Sequence, residues 1–193
     1  MARFKISVEY DGSGFVGWQR QDNGLAVQQV LEQAITAFCG ESVTVFGAGR
    51  TDSGVHALAQ VAHFDLAAKF SPYNVCEAMN YHVKPHAVAV LEATIAENDF
   101  HARFSATGRS YMYRITERRA PLTLDRGRSW RQKGKIDTQA MHEAAQLLVG
   151  KHDFTTFRAT NCQAKSPVKT LRRLDVERHD AEISIYAEAR SFL

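Results

Sequence analysis

Three side chains that could take part in chemistry lie close together in one glycine-rich segment of the chain. Residues 47–56 contain Arg50, Asp52 and His56, with glycines on both sides of the aspartate that permit tight turns and close approach to a ligand. A carboxylate in such a loop can act as a nucleophile or as a general base. Aspartate is also a common turn or capping residue beside glycine, so the residues alone leave both interpretations of Asp52 open.

A second candidate group lies in residues 109–114, where two tyrosines alternate with other residues inside a basic segment. Tyr111 and Tyr113 would project from the same face of a strand, with Arg109 and Arg114 beside them. Rings interleaved with arginines supply stacking surfaces for unpaired bases and charge for a nucleic-acid backbone. Tyrosines at alternate strand positions are also an ordinary core pattern, which remains the alternative.

Residues 101–135 are strongly basic, although the formal net charge of the whole chain is only +3. This segment holds ten Arg or Lys and two acids, so it carries +8 and the rest of the chain −5. Arginine predominates, and its planar donor fork suits phosphates and base edges, which favours a polyanionic partner. A solvated surface whose cations pair with acids elsewhere is the alternative. The basic residues are Arg103, Arg109, Arg114, Arg118, Arg119, Arg126, Arg128, Arg131, Lys133 and Lys135.

Patterns that could indicate a cofactor or a metal are weak. Residues 12–17 match GxGxxG after a predicted strand, but no helix follows them, so NAD or FAD binding is not expected. His82 and His86 are separated by Pro85, which would disrupt the helix needed to align them as metal ligands. We therefore expect neither a cofactor nor a metal.

Cysteine usage and hydropathy indicate a reduced, cytoplasmic setting. The three cysteines form no CxxC pair and are odd in number, so neither a disulfide framework nor a cysteine-rich zinc site is expected. No apolar region follows the first charges, and no apolar run reaches the roughly 18 residues that a membrane helix needs. Export and a membrane span are not expected. The cysteines are Cys39, Cys76 and Cys162.

The elements that would position these groups follow a recognisable order in the first half of the chain. Alternation and β-branched or aromatic residues predict strands at 3–10, 42–47, 60–66 and 87–95. Helical spacing predicts helices at 27–38, ending before Gly40, and from Pro72 to about Tyr81, with Ser71 as N-cap. The order β-α-β-β-α-β is ferredoxin-like, with a largely antiparallel mixed sheet and both helices on one face.

The second half begins the same order again. A strand over 111–115, an additional strand around 128–132, a helix capped by Asp137 and running to Gly150, and strands near 168–177 and 182–189 are predicted. A helix and a strand of the ferredoxin-like order are missing. We therefore expect an α+β protein with two domains, 1–103 and 104–193, the second of them incomplete, and a native protein that is longer.

Four ordered blocks of the sequence resemble the TruA-type tRNA pseudouridine synthases, over nearly the whole chain. The first is residues 10–21, which resemble the opening signature of that family. Residues 47–56, followed by 60–64, are similar to its catalytic loop and next strand. The other two blocks are residues 100–104 with Arg109, Tyr111 and Tyr113, and residues 150–154 with Phe157.

The resemblance implies both a fold and a reaction. The fold is that of the pseudouridine synthases, with two ferredoxin-like halves. The reaction is the isomerisation of uridine to pseudouridine at positions 38, 39 and 40 in the anticodon stem-loop of transfer RNA, by a homodimer that uses no cofactor or metal. Asp52 would be the essential carboxylate and Tyr111 the ring that packs on the target uracil. Arg50, His56 and Arg109 are the further candidate substrate-binding residues.

Two departures from the family pattern bear on activity. Ala59 stands where the family usually has glycine, a small change. Residues 189–193 resemble the start of the family's C-terminal motif, whose later basic residue pairs with the catalytic aspartate and is absent from this sequence. We therefore expect catalysis by this form to be lost or greatly reduced. A noncatalytic protein that binds transfer RNA, or RNA more generally, is the alternative function.

Overall fold

A computed structural model describes residues 1–159 and 164–193 of the chain. They form two compact units, Met1–Ala106 and Thr107–Leu193. The domains predicted from the sequence divide the chain slightly earlier, after Arg103. Cys162, one of the three cysteines considered above, lies outside the described residues.

The first unit has the predicted order β-α-β-β-α-β. Its sheet has the strand order β2-β3-β1-β4, and every neighbouring pair is antiparallel. A single 3-10 turn, Gly12–Gly14, precedes the first helix. The elements are β1 (Ala2–Tyr10), α1 (Val27–Cys39), β2 (Phe46–Gly47), β3 (Ala57–Leu66), α2 (Pro72–His82) and β4 (Val88–Ala96).

Alternation along the strands explains why both helices cover the same face of this sheet. In β1, Phe4, Ile6 and Val8 are buried, whereas Lys5 and Glu9 face solvent. The buried strand residues form one apolar cluster with residues of α1 and of α2. Both helices therefore lie on one face, as predicted, and the other face carries the polar residues. Helix residues in the cluster are Val27, Val30, Leu31, Ala34, Ile35, Val75 and Met79.

Local capping signals in the sequence set the helix ends. Gly40 ends α1 with a φ of 76°, a left-handed conformation that glycine adopts without strain, and its N–H bonds the Thr36 carbonyl. At the start of α2, the Ser71 side chain accepts a hydrogen bond from the Asn74 N–H, and Pro72 occupies the first turn. Both predictions are confirmed.

The second strand is shorter than predicted. Only Phe46 and Gly47 pair with β3, whereas 42–47 was expected to be extended and paired. The backbone of Val45 is bonded by helix side chains instead of a neighbouring strand. Its N–H donates to Glu32 Oε1 at 3.1 Å, and its carbonyl accepts from Gln28 Nε2 at 3.0 Å.

The second unit is built on a mixed five-stranded sheet in the order β6-β5-β9-β8-β7. The β5–β6 pair is parallel and the other pairs are antiparallel. The additional strand expected around 128–132 is confirmed as β6, whereas β7 was not predicted. The elements are β5 (Arg109–Glu117), β6 (Trp130–Gln132), α3 (Thr138–Gln146), β7 (Gly150–Asp153), β8 (Val168–His179) and β9 (Glu182–Ala189).

The third helix begins as predicted but ends earlier. The Asp137 side chain accepts the Ala140 N–H at 3.0 Å and caps the helix. The prediction that the helix runs to Gly150 is wrong, because the N–H groups of residues 147–149 bond carbonyls three residues back, which tightens the chain out of the α-helix. Gly150 instead begins β7.

The two units share one underlying order. Without the short β6 and β7, the second unit reads β-α-β-β, and its strands β8, β9 and β5 neighbour one another as β2, β3 and β1 do in the first unit. The predicted α+β fold with two related halves is confirmed. In the described residues the shared order stops after β-α-β-β in the second unit, whereas the first unit continues with a helix and a strand. Within the described ranges, no helix is long and apolar enough to cross a membrane.

Candidate active site

The Asp52 segment forms the connection between β2 and β3 in the first unit. Arg50 and Asp52 are both exposed, and His56 is half-buried just before β3. No hydrogen bond or ion pair of the Asp52 carboxylate or of the Arg50 guanidinium falls within the part of the chain that the structure describes. The carboxylate therefore does not cap the loop. The Asp52 carbonyl accepts the Val55 N–H at 3.2 Å, so the residue does begin a turn, and its catalytic role stays a prediction.

The backbone on both sides of Asp52 is held by the segment that follows β1. The Thr51 carbonyl accepts the Trp18 N–H at 3.0 Å, and Thr51 Oγ1 lies 2.8 Å from the Tyr10 hydroxyl. On the other side, Ser53 Oγ donates to the Phe15 carbonyl at 3.1 Å. The chain is thus fixed on either side of an exposed carboxylate, an arrangement suited to a catalytic group.

Glycines in residues 12–17 make this close packing possible. A Cβ atom on Gly12 would lie 2.1 Å from the Val55 carbonyl oxygen, and one on Gly17 would lie 2.6 Å from that of Thr51. Gly17 also has a φ of 120°, which other residues rarely adopt. The GxGxxG match therefore reflects contact between this segment and the Asp52 loop.

His56 joins the same two segments. Its Nδ1 accepts the Gly12 N–H at 3.1 Å and lies 3.2 Å from Asp11 Oδ1. The bond from Gly12 requires an unprotonated Nδ1, whereas an ion pair with Asp11 requires a proton there. Asp11 also accepts the Ser13 N–H at 3.0 Å and so caps the turn. His56 thus has a role in shaping the loop, and its substrate-binding role stays a prediction.

The aromatic candidates in the second unit are not core residues. Tyr111 and Tyr113 are 44% and 55% exposed, although Ile115, on the same face of β5, is buried. The Tyr111 ring meets the edge of the Phe192 ring, with centroids 5.0 Å apart and planes at 83°. An exposed ring held in one orientation is suited to stacking against a base. Arg109, two residues earlier, donates to the Arg190 carbonyl at 2.6 Å.

The site residues predicted from the sequence therefore fall into two sets. Arg50, Asp52 and His56 lie together in one loop of the first unit, and Arg109 and Tyr111 lie together on one strand of the second. The sequence did not single out Tyr10 or Thr51, because their contact joins residues far apart in the chain. The sequence signal that could have indicated a role for Tyr10 is its position directly before a glycine-rich turn.

Some cations of the basic segment are paired within the second unit. The Arg114 guanidinium bonds both carboxylate oxygens of Glu182, and this contact keeps the pKa of Glu182 below its usual range. Lys135 Nζ lies 3.9 Å from Glu117 but is almost fully exposed. For Arg114, the positive charge is therefore balanced by an acid from another part of the chain, which was the alternative to binding a polyanion.

Other cations of the segment have no such partner. Among the described residues, no carboxylate lies within 4.0 Å of the side chains of Arg119, Arg126 or Lys133. Arg118 donates to the carbonyls of Ala120 and Pro121, which leaves its charge uncompensated. Uncompensated cations in residues 118–133 favour binding of a polyanion.

No metal centre accompanies these groups in the described ranges. Within residues 1–159 and 164–193, no three His, Cys, Asp or Glu side chains are arranged to hold an ion. The chemistry that the described side chains themselves offer is that of a carboxylate, cationic guanidinium groups and exposed aromatic rings.

Comparison of the sequence with known proteins points to one family. The pattern of a family described as tRNA pseudouridine synthase matches residues 6–105 and 144–193. A protein of Rhodospirillum centenum named tRNA pseudouridine synthase A is 61% identical over all 193 residues, which cover 79% of its length. Proteins of the same name from Maricaulis maris and Parvibaculum lavamentivorans are 59% and 58% identical over the whole chain, which covers 78% of each.

Proposed function

The chain belongs to the tRNA pseudouridine synthase family, and from this premise we propose that it isomerises uridine to pseudouridine in transfer RNA with Asp52 as its catalytic carboxylate. One observation carries the assignment of Asp52. Its carboxylate is exposed, while Thr51 and Ser53 on either side of it are bonded to the end of β1 and to the segment after it. A reacting group held in this way needs little reorganisation when substrate binds.

The reaction requires a carboxylate and no redox partner. The N1–C1′ bond of uridine breaks, the uracil rotates, and a bond forms between C5 and C1′. C5 then loses its proton and N1 gains one, so the product has the same composition and oxidation state. Asp52 would attack C1′ as a nucleophile or remove the C2′ proton as a base. Both routes need the target nucleotide outside the helical stack, because the sugar atoms are not accessible within it.

The remaining candidate residues would bind the extruded nucleotide. Tyr111 offers an exposed ring for stacking on the uracil. Arg50 offers an exposed guanidinium two residues before Asp52, and Arg109 a second cation near Tyr111. His56 contacts Gly12 and Asp11 and would act from the base of the loop.

The substrate position and the assembly follow from the family resemblance, and the location follows from cysteine usage and hydropathy. We propose uridines 38, 39 and 40 of the anticodon stem-loop as targets, a homodimer as the working form, and the cytoplasm as its location. The uncompensated cations Arg119, Arg126 and Lys133 support a polyanionic substrate. The reduced catalysis expected from the family's C-terminal motif also stays a prediction.

Tritium release from transfer RNA labelled with [5-³H]uridine tests the function, with enzyme in excess so that slow catalysis is measured. We expect the unchanged chain to release tritium and Asp52→Asn to release none. The tRNA affinity of Asp52→Asn should stay within about threefold of that of the unchanged chain, because no charge in the basic segment changes. Asp22→Asn, at another exposed loop aspartate, is the matched control and should retain release.

The other outcomes separate the hypotheses. Release that persists in Asp52→Asn would contradict the catalytic assignment of Asp52. Binding of transfer RNA without any release by the unchanged chain would contradict slow catalysis, and would fit both the noncatalytic RNA-binding protein and complete loss of catalysis in this form. Release at the full rate expected of an intact synthase would contradict the prediction of reduced catalysis.

A further inference from the structure

Residues 100–105 lie against the polar face of the first sheet and are fixed there by two side chains. His63, in the middle of β3, is only 2% exposed, and its Nδ1 accepts the Ala102 N–H at 3.1 Å. Arg3, on β1, donates to the Phe100 carbonyl at 2.8 Å while its other nitrogens bind the Asp65 carboxylate at 2.7 Å. The segment is therefore attached through one neutral acceptor and one ion-paired arginine.

Ring contacts extend the attachment. The centroids of the His63 and His101 rings lie 4.7 Å apart, and Phe46 stacks on His63 at 5.1 Å. On the outer side, the His101 ring lies 4.4 Å from the Phe104 ring. His63 thus supports His101, which supports Phe104.

This arrangement leaves two side chains facing solvent. Phe104 is 73% exposed, and its neighbour Arg103 is exposed as well. An exposed aromatic ring beside an arginine is the combination that unpaired bases and their phosphates require, stacking from the ring and charge from the guanidinium. Both side chains depend for their placement on backbone that His63 holds.

The contact with Ala102 requires a neutral imidazole, since a protonated Nδ1 can no longer accept a hydrogen bond. Burial of the ring lowers the pKa of His63, and the positive charges of His101 and Arg3 lower it further, while Asp65 and a hydrogen bond with the Phe46 backbone act in the opposite direction. Lys5, directly opposite His63 on β1, is another cation facing it. The surroundings favour the neutral form.

We propose that neutral His63 is a positioning residue that holds residues 100–105 on the polar face of the first sheet and so orders Arg103 and Phe104 as a contact surface for unpaired nucleotides of the RNA substrate. The inference rests on the proposed function for its ligand. It does not depend on Asp52 or on the reaction itself.

The pH dependence follows from the lowered pKa. Detachment of residues 100–105 would expose the ring and remove the charge of His101, so the pKa of His63 would rise toward its ordinary value when the segment leaves. Attachment is at full strength at alkaline pH, and as the pH falls the detached state binds more protons than the attached one. Attachment therefore weakens toward the lowered pKa, and the affinity for RNA falls with it.

The test compares wild type with His63→Asn, in which an amide oxygen can accept the Ala102 N–H without titrating. Dissociation constants for transfer RNA are measured at fixed salt from about pH 8 to about pH 4.5. We expect similar affinities at the alkaline end and wild type weaker by about three- to tenfold at the acid end, the effect of one hydrogen bond left unmade. His179→Asn, at an exposed histidine of the second unit, should follow wild type.

Hydrogen exchange of the peptide covering 100–105 provides a second arm that needs no RNA. Protection, corrected for the intrinsic exchange rate, should decrease in wild type as the pH is lowered. In His63→Asn it should stay the same. It should be low at every pH in His63→Leu, which has no acceptor. Identical pH profiles of wild type and His63→Asn in both measurements would overturn the proposal. If the exchange profiles are as expected but wild type binds no RNA, the RNA contact is overturned, and the result tells against the proposed function as well.

Discussion

The Tyr10 hydroxyl lies 2.8 Å from Thr51 Oγ1, so the last residue of the first strand is bonded to the residue that precedes Asp52. Tyr10 is almost fully buried, and its ring centroid lies 6.1 Å from that of Trp18, whose N–H bonds the Thr51 carbonyl. Thr51 is thus held by its side chain and by its backbone. The position of Asp52 depends on contacts made by its neighbour.

Tyr10→Phe removes the hydroxyl and keeps the ring. We expect the free energy of unfolding to fall by about 0.5–1.5 kcal/mol, the usual contribution of one hydrogen bond. The rate of tritium release should fall several-fold with little change in tRNA affinity, because the effect reaches the substrate only through Asp52. Urea unfolding and single-turnover release measure the two quantities.

Tyr73→Phe is the matched control, because Tyr73 lies exposed on α2 and the change removes the same atom. Neither quantity should change in it. An unaltered rate of release in Tyr10→Phe, despite a loss of stability, would mean that the hydroxyl contributes to folding only.

Arg119→Gln combined with Arg126→Gln should weaken tRNA binding and make it less sensitive to salt. Neither side chain has a carboxylate partner among the described residues, so each would release counterions from the RNA. We expect the slope of log affinity against log salt to become shallower by about 1.5 to 2 units. Arg173→Gln is the control and should change the slope less, because Asp175 and Glu177 already balance that charge. An unchanged slope in the double variant would exclude phosphate contacts by these arginines.

Elements that are specified locally were predictable from the sequence. The ends of α1 and α2 follow from Gly40 and from Ser71 with Pro72, each of which acts within a few residues of itself. The second strand could not be predicted in full, because Glu32 and Gln28 of α1 bind the backbone of Val45 in place of a strand.

The candidate site was predictable to a similar extent. The sequence placed Asp52 in a loop between strands, and the structure agrees. It could not reveal that the glycines of residues 12–17 pack against that loop, since the contact joins segments about 40 residues apart. Burial of His63 under residues 100–105 depends on the same kind of long-range contact.

A carboxylate in the second unit should make stability depend on pH. The Glu117 side chain is 6% exposed, receives two hydrogen bonds from the Arg178 guanidinium at 2.7 and 3.0 Å, and accepts the Ile136 N–H. The hydrogen bonds from Arg178, which have the largest effect, and the one from the Ile136 N–H lower the pKa of Glu117 from 4.5 to about 2. Because the folded pKa is the lower one, the stabilisation is complete above 4.5 and is lost as pH falls toward 2.

Glu117→Gln should therefore be much less stable than wild type at about pH 7, with the difference shrinking as the pH approaches about 2.5. Thermal unfolding across this range measures the difference between the two proteins, which cancels the titration of groups they share. Glu143→Gln, at an exposed glutamate of α3 bonded to Gln139, is the control. A difference between wild type and Glu117→Gln that stays constant with pH would contradict the assignment.

Gly17→Ala tests whether the segment after β1 positions the Asp52 loop. The new Cβ would lie 2.6 Å from the Thr51 carbonyl oxygen, at a residue whose φ is 120°. Since this backbone atom cannot move without Asp52, we expect a loss of about 1–3 kcal/mol in unfolding free energy and a fall of about ten- to a hundredfold in release. Gly14→Ala is the matched control, with no atom of another segment within 4 Å of its Cβ, and should change stability by no more than about 0.5 kcal/mol. Equal losses of release in the two variants would show that the glycines serve the turn itself and not the approach to Thr51.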